Sequence, residues 1–174
     1  MPVTPLHLGP GLLIKSVLQG SFSLIIFTWS QVLMDIQPIL VVLTGKGQLH
    51  GFSHTYVGST IIAIFAALTG RWVYHWITRF IEKDFTDYQK KLFAVPAKLT
   101  TSICISSALV GTFSHVLVDS IMHADMQPFF PLAIENQVLL IVTIETLHKV
   151  CVYTGLLGAV IFFAVRFIRS RSNS

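Results

Sequence analysis

The chain has 174 residues, of which 53% are hydrophobic and only 11% charged, with a mean hydropathy of +0.71. A soluble domain carries about 25% charged residues, so composition excludes a water-soluble fold and points to one all-α membrane-embedded domain over 1–174. The net charge of +4 would suit nucleic acid, but nine of the twelve basic residues fall in two places: Arg71, Arg79, Lys83, Lys90, Lys91 and Lys98, then Arg166, Arg169 and Arg171. That is the positive-inside pattern of a membrane protein, and it argues against a nucleic-acid partner.

Residues 1–20 read as an entry segment followed by a short N-terminal helix. Pro2, Pro5, Gly9, Pro10 and Gly11 break its start, and Leu12 to Gln19 is too short to span. The first positive residue is Lys15, so the basic start of a secretory signal is missing and the first apolar segment is expected to be retained. Spans are predicted at about 21–43, 55–71, 99–122 and 147–166. Stretches 16–34, 47–70, 99–118 and 150–165 contain no Asp, Glu, Lys or Arg. Arg71-Trp72-Val73-Tyr74-His75-Trp76 forms an aromatic and basic interfacial belt, which assigns His75 to the surface. Residues 77–98 alternate charged and apolar groups and suggest an amphipathic helix on the cytoplasmic face. Four spans return the chain to its starting side, so both termini are expected to be cytoplasmic. The loops at 44–55 and 123–146 would then face outward, and Lys46 is their one basic residue. Cys104 and Cys151 lie in apolar spans and read as small core residues. Ser106, Ser107, Gly155 and Gly158 read as sites of close helix packing.

Acids and histidines inside these spans carry the functional signal. An ionised group at the bilayer centre costs ~2.5–3.5 kcal/mol or more. Counting 1.5 Å per residue from each span's cytoplasmic end places Asp35 at ~21 Å, His54 at ~25 Å, His115 at ~24 Å and His148 at ~27 Å. Four polar groups from four spans thus share the outer part of a core ~30 Å thick. Asp119 falls one turn further out, and His123 and His50 near the outer boundary. Pro38 removes the helical hydrogen bond to the Met34 carbonyl, beside Asp35, which suits a cavity wall.

His115-x-x-x-Asp119 puts an imidazole and a carboxylate on one helical face, a metal-ligand pair by geometry or a hydrogen bond made for packing. Nitrogen and carboxylate donors suit Zn²⁺, with Mn²⁺ or Fe²⁺ also compatible. His50-Gly-Phe-Ser-His54 offers a second pair, with Gly51 allowing a tight turn. Glu145-x-x-His148 has the spacing of di-metal carboxylate bundles, and a structural role competes with it. Asp125 and Glu135 lie in the outer loop without a clear assignment. His7 reaches the site only if the N-terminal segment re-enters the membrane.

Thr4-Pro5-Leu6-His7-Leu8-Gly9-Pro10-Gly11, Asp35-Ile36-Gln37-Pro38, His50-Gly51-Phe52-Ser53-His54-Thr55, and His115-x-x-x-Asp119-Ser120-Ile121-Met122-His123-x-Asp125-x-x-Pro128 occur in that order. Together they resemble the prokaryotic family of membrane-bound metal-dependent hydrolases, distantly grouped with zinc-dependent phospholipase C and P1 nuclease. The resemblance covers most of the chain, from His7 to about Pro131. It implies a helical metal site with ligands from His7, Asp35, His54, His115 and Asp119, and His50 and His123 as further candidates. The family often has an acid where this chain has Gln37.

The expectation is therefore a multi-pass hydrolase of a prokaryotic cytoplasmic membrane, with its site opening outward among membrane lipids. The metal ligands are drawn from His7, Asp35, His50, His54, His115, Asp119, His123 and His148, and Asp119 or Asp35 acts in catalysis on a phosphoester or lipid ester. The alternatives are a protein that binds or transports a divalent metal and a structural subunit. A conduit needs polar groups along its length, whereas Leu24–Phe27, Ile61–Ala67, Ile103–Ala108 and Gly158–Val165 are nearly all apolar.

Overall fold

The computed structural model describes residues 5–81, 83, 86, 89 and 99–172. Among them are five α-helices and no strand: α1 (Leu8–Leu18), α2 (Leu24–Thr44), α3 (Tyr56–Ile81), α4 (Thr101–Met122) and α5 (Ile144–Ser172). The last four are long and apolar enough to cross a membrane. The chain is thus an all-α, multi-pass membrane bundle with a short N-terminal helix.

Local chemistry sets the boundaries. At the start of α2, Ser23 Oγ accepts from the Ile26 N–H at 3.4 Å, and Gly45 ends the helix at φ 66° with its N–H on the Val41 carbonyl. A left-handed C-cap of this kind strongly favours glycine. Thr100 Oγ1 caps α4 through the Ile103 N–H at 3.3 Å. The entry segment differs from expectation: α1 begins at Leu8 and runs through Gly9-Pro10-Gly11. Pro10 occupies the first turn, where an N–H has no partner within the helix, so proline is tolerated there. The second span also runs further than expected, because α3 continues through the Arg71–Trp76 belt to Ile81. Interfacial aromatics mark headgroup depth, and this stretch contains no Gly or Pro to break a helix. The start of the expected 77–98 amphipathic helix is the end of α3, and most of its remainder lies outside the described residues.

α2, α3 and α4 pack against one another. In their inner halves Ile26, Ala63, Ala66, Cys104 and Ala108 form a buried apolar cluster, and Met34, Val116 and Met126 form another nearer the site. Gly111 permits close approach of α2 and α4, since a Cβ there would collide with Ser30 Oγ. Ser107 is buried and its Oγ accepts from the Ser23 N–H at 2.9 Å, whereas Ser106 is exposed.

α5 is peripheral: 17% of its most apolar window is buried, against 39% in each other span. It meets the bundle mainly through α1. Gly9 lies against the Cys151 carbonyl, and Gly158 against the Leu12–Leu13 backbone, where a Cβ would overlap main-chain atoms. Gly9 and Cys151, then Leu13 and Gly158, meet in ascending order, so α1 runs parallel to α5 and away from the site. Lys15 then turns the chain back, its Nζ donating to the carbonyls of Gln19 (2.6 Å) and Phe22 (2.7 Å). The segment from Pro5 to Thr44 is thus a re-entrant hairpin. Pro5 and Ser172 lie toward opposite ends of the bundle, because α1 adds a partial passage to the four long helices.

Candidate metal centre

Each element brings one part of the centre. The 3-10 turn Pro5–His7 delivers His7, α2 delivers Asp35, the 3-10 turn Phe52–His54 delivers His54, and α4 delivers His115 and Asp119 one turn apart. All five side chains are buried. Asp119 is their focus. Its Oδ1 lies 3.6 Å from His7 Nε2, and its Oδ2 lies 3.5 Å from His54 Nε2 and 3.2 Å from His115 Nε2. Asp35 Oδ1 lies 3.7 Å from His115 Nε2. Donor atoms of His7, His115 and Asp119, and of Asp35, His54 and His115, lie within 4.8 Å of one another.

The three Nε2 atoms are buried without a hydrogen-bond partner. For two of them the surrounding bonds fix why. Gln31 Nε2 donates to the Gly111 carbonyl at 3.0 Å, which orients the Gln31 Oε1 to accept from His115 Nδ1. The His115 proton is therefore on Nδ1, and Nε2 presents a lone pair to the carboxylates. At His54, Ser53 Oγ donates to Gln37 Oε1 at 2.5 Å and accepts from His54 Nδ1 at 2.8 Å. His54 Nε2 likewise presents a lone pair. Lone pairs facing carboxylates repel, and an unpaired buried polar atom costs ~1–3 kcal/mol. A cation relieves both. Imidazoles whose far nitrogen is fixed by a second group are the usual form of a metal-ligating histidine, so these residues fit a divalent metal.

A cavity of ≈ 270 Å³ opens beside the cluster, lined by His7, Asp35, Pro38, Val42, Leu49, His50, His54, Asp119, His123 and Asp125. At its mouth His50 Nδ1 contacts both Asp125 oxygens, at 3.0 and 2.9 Å, and stacks on His123 with ring centroids 4.1 Å apart. Burial, then the neighbouring His50, holds the His123 pKa below its ordinary value. Burial works to raise the Asp125 pKa, but its hydrogen bond and charge interaction with His50 prevail and lower it.

The remaining candidates fall elsewhere. His148 is partly buried on α5 and joins none of the three-residue donor groups. Glu145 is exposed and paired with Lys149 at 2.6 Å. Glu135 is exposed in the loop after α4. His75 is exposed, with Nδ1 2.6 Å from the Arg71 carbonyl. Gly51 has φ −86°, so it makes no left-handed turn; it is small because Gln37 lies where a Cβ would stand. Gln37 is outside the donor groups and holds the His50–His54 loop, its Nε2 donating to the Gln48 carbonyl at 3.3 Å. Gln31 and Ser53, which orient the His115 and His54 imidazoles, were not singled out in the sequence. The signal for Gln31 was its place one turn before Asp35, on the same face of an apolar helix.

Comparison with known proteins returned no matching family model, no matching curated protein and no matching solved structure.

Proposed function

We propose that this chain is a divalent-metal-dependent hydrolase acting in a prokaryotic cytoplasmic membrane, on a phosphoester or lipid ester. The observation that carries the reading is the convergence of three unpartnered, buried imidazole Nε2 atoms on the Asp119 carboxylate. Zn²⁺ suits the nitrogen and oxygen donors best, and Mn²⁺ or Fe²⁺ share that chemistry. His7, His54, His115 and Asp119 would hold the metal. Asp35 lines the cavity next to them and is assigned as the general base.

A metal bound there would supply water activation near neutral pH and polarisation of a scissile ester. The chain's own contribution is positional. Gln31 and Ser53 hold two imidazoles with their lone pairs inward, and Asp119 with Asp35 beside it supplies the two negative charges that would balance a dication. Asp35 takes up a proton at the cavity wall. The cluster of Ile26, Ala63, Ala66, Cys104 and Ala108 supports a pocket closed toward the inner half, and a metal conduit would need polar groups there. Arg166 and Arg169 follow the apolar part of α5, at the end away from the site, so the positive-inside rule orients the mouth outward. The ordered motifs, which resemble those of membrane-bound metal-dependent hydrolases, support the reaction class.

The test is metal analysis of purified chain beside His115→Ala and Asp119→Ala, with assays on phosphodiester, phosphomonoester and lipid-ester substrates. Stoichiometric metal in the wild type, and joint loss of metal and hydrolysis in the variants, is expected. A metal-free wild type overturns the reading. Metal without hydrolysis of any of these esters leaves a binding protein instead.

A further inference from the structure

We propose that His50, His123 and Asp125 form a second divalent-cation site at the mouth of the cavity, separate from the buried centre. Their donor atoms lie within 4.8 Å of one another, and all three residues line the cavity. None of them belongs to the inner donor groups. The two sites share a pocket but no ligand, so each stands or falls without the other.

The arrangement is built rather than incidental. His123 is the C-cap of α4, its N–H on the Asp119 carbonyl at 2.8 Å, so the same helix end positions an inner and an outer donor. The Met126 N–H returns to the His123 carbonyl at 3.3 Å and the Tyr56 N–H reaches the Pro128 carbonyl at 2.8 Å. These bonds tie the Asp125 loop to the start of α3, next to the loop that carries His50. A simple ion pair needs only His50 and Asp125. The stacking of His123 on His50, 26° from parallel, adds a second imidazole nitrogen to the same place.

Two imidazoles and one carboxylate are a borderline donor set, suited to Zn²⁺. Three protein ligands in a tetrahedral site leave one position open to water or to an anionic oxygen. The Asp125 side chain is 53% exposed and the His50 side chain 11%, so water competes for the ion. The site binds more weakly than the buried centre and exchanges its metal with the medium. A cation there gives the mouth a positive charge, the complement of a phosphate-bearing substrate.

Calorimetric titration with Zn²⁺ tests this, on chelator-stripped full-length chain in detergent, purified without a polyhistidine tag. Two classes of site are expected in the wild type. Asp125→Asn and His123→Ala each weaken the lower-affinity class at least tenfold and leave the tight class in place, which also reports an intact fold. Asp119→Ala removes the tight class and leaves the weaker one. If Asp125→Asn and His123→Ala bind Zn²⁺ as the wild type does, the proposal is overturned. It is overturned equally if a weaker class disappears in Asp119→Ala but survives in both mouth variants. If the wild type lacks the tight class but keeps one sensitive to His123→Ala, the inner centre fails and the outer site stands.

Discussion

Gln31 Oε1 accepts from His115 Nδ1 across the α2–α4 interface, while the Gln31 amide nitrogen donates to the Gly111 carbonyl. One side chain thereby selects the tautomer of a proposed ligand on the neighbouring helix. Removing such a second partner typically costs 10–100-fold in metal affinity. Gln31→Leu is expected to lower Zn²⁺ affinity by about that factor, with the helix content unchanged by circular dichroism. Gln31→Glu keeps an acceptor facing Nδ1 and retains more affinity than Gln31→Leu. Equal affinity in all three chains would show that the His115 tautomer is set elsewhere.

Metal removal should destabilise the wild type selectively. A ligand that binds only the folded state at 100 times its Kd stabilises it by about 2.7 kcal/mol. Stripping metal with a chelator is therefore expected to lower the thermal midpoint of the wild type and leave that of Asp119→Ala almost unmoved. Differential scanning fluorimetry in detergent reads both. A chelator shift of equal size in the variant would place the stabilising ion outside the Asp119 cluster.

The Ser53 hydroxyl accepts from His54 Nδ1 and donates onward to Gln37 Oε1. Ser53→Ala leaves His54 Nδ1 without that acceptor, and about a tenfold loss of Zn²⁺ affinity is expected. Gln37→Glu preserves the acceptor that Ser53 uses and is expected to lose less. A calorimetric titration ranks the pair, and a Gln37→Glu chain that binds less metal than Ser53→Ala would contradict the role given to this oxygen.

Those second partners were the least legible part of the sequence. Period and depth located Asp35, His54, His115 and Asp119, because spanning helices make residue number a ruler of height. The ruler has no azimuth. His148 shares the expected height of the cluster, yet α5 meets the bundle mainly through α1, and His148 joins none of the three-residue donor groups. His7 failed the same ruler for the opposite reason: its helix enters from the site side, and only the ordered motifs brought it in. Gln31 and Ser53 are uncharged and common in helices and loops, so nothing in their spacing marked them before the ligands had neighbours.

His7 depends on the fit of α1 against α5, and that fit depends on missing side chains. A Cβ at Gly158 would meet the Leu12–Leu13 backbone, which cannot move aside as a flexible side chain would. Overpacking of this kind costs ~1–3 kcal/mol. Gly158→Ala is expected to lower stability by about that amount and Gly158→Val by more, and both should weaken metal binding by displacing His7. His7→Ala should weaken metal binding without the loss of stability. If Gly158→Val destabilises but binds Zn²⁺ normally, α1 is a packing element and His7 is dispensable to the centre.

The outward-facing mouth is testable in intact cells. Lys46 and Gln48 sit on the exposed loop between α2 and α3, at the mouth end, whereas Arg169 is exposed on the far end of α5. Native Cys104 and Cys151 are buried, so a membrane-impermeant maleimide should find little background. Gln48→Cys is expected to label from outside the cell, and Arg169→Cys only after permeabilisation. The reverse pattern would turn the pocket toward the cytoplasm. It would also set the basic residues of the central connection and of α5 against the positive-inside rule, which acts strongly when charges lie within ~15–20 residues of a span. Because the cavity lies at the His50, Asp119 and His123 end of the bundle, orientation then decides which compartment would supply the proposed metal and substrate.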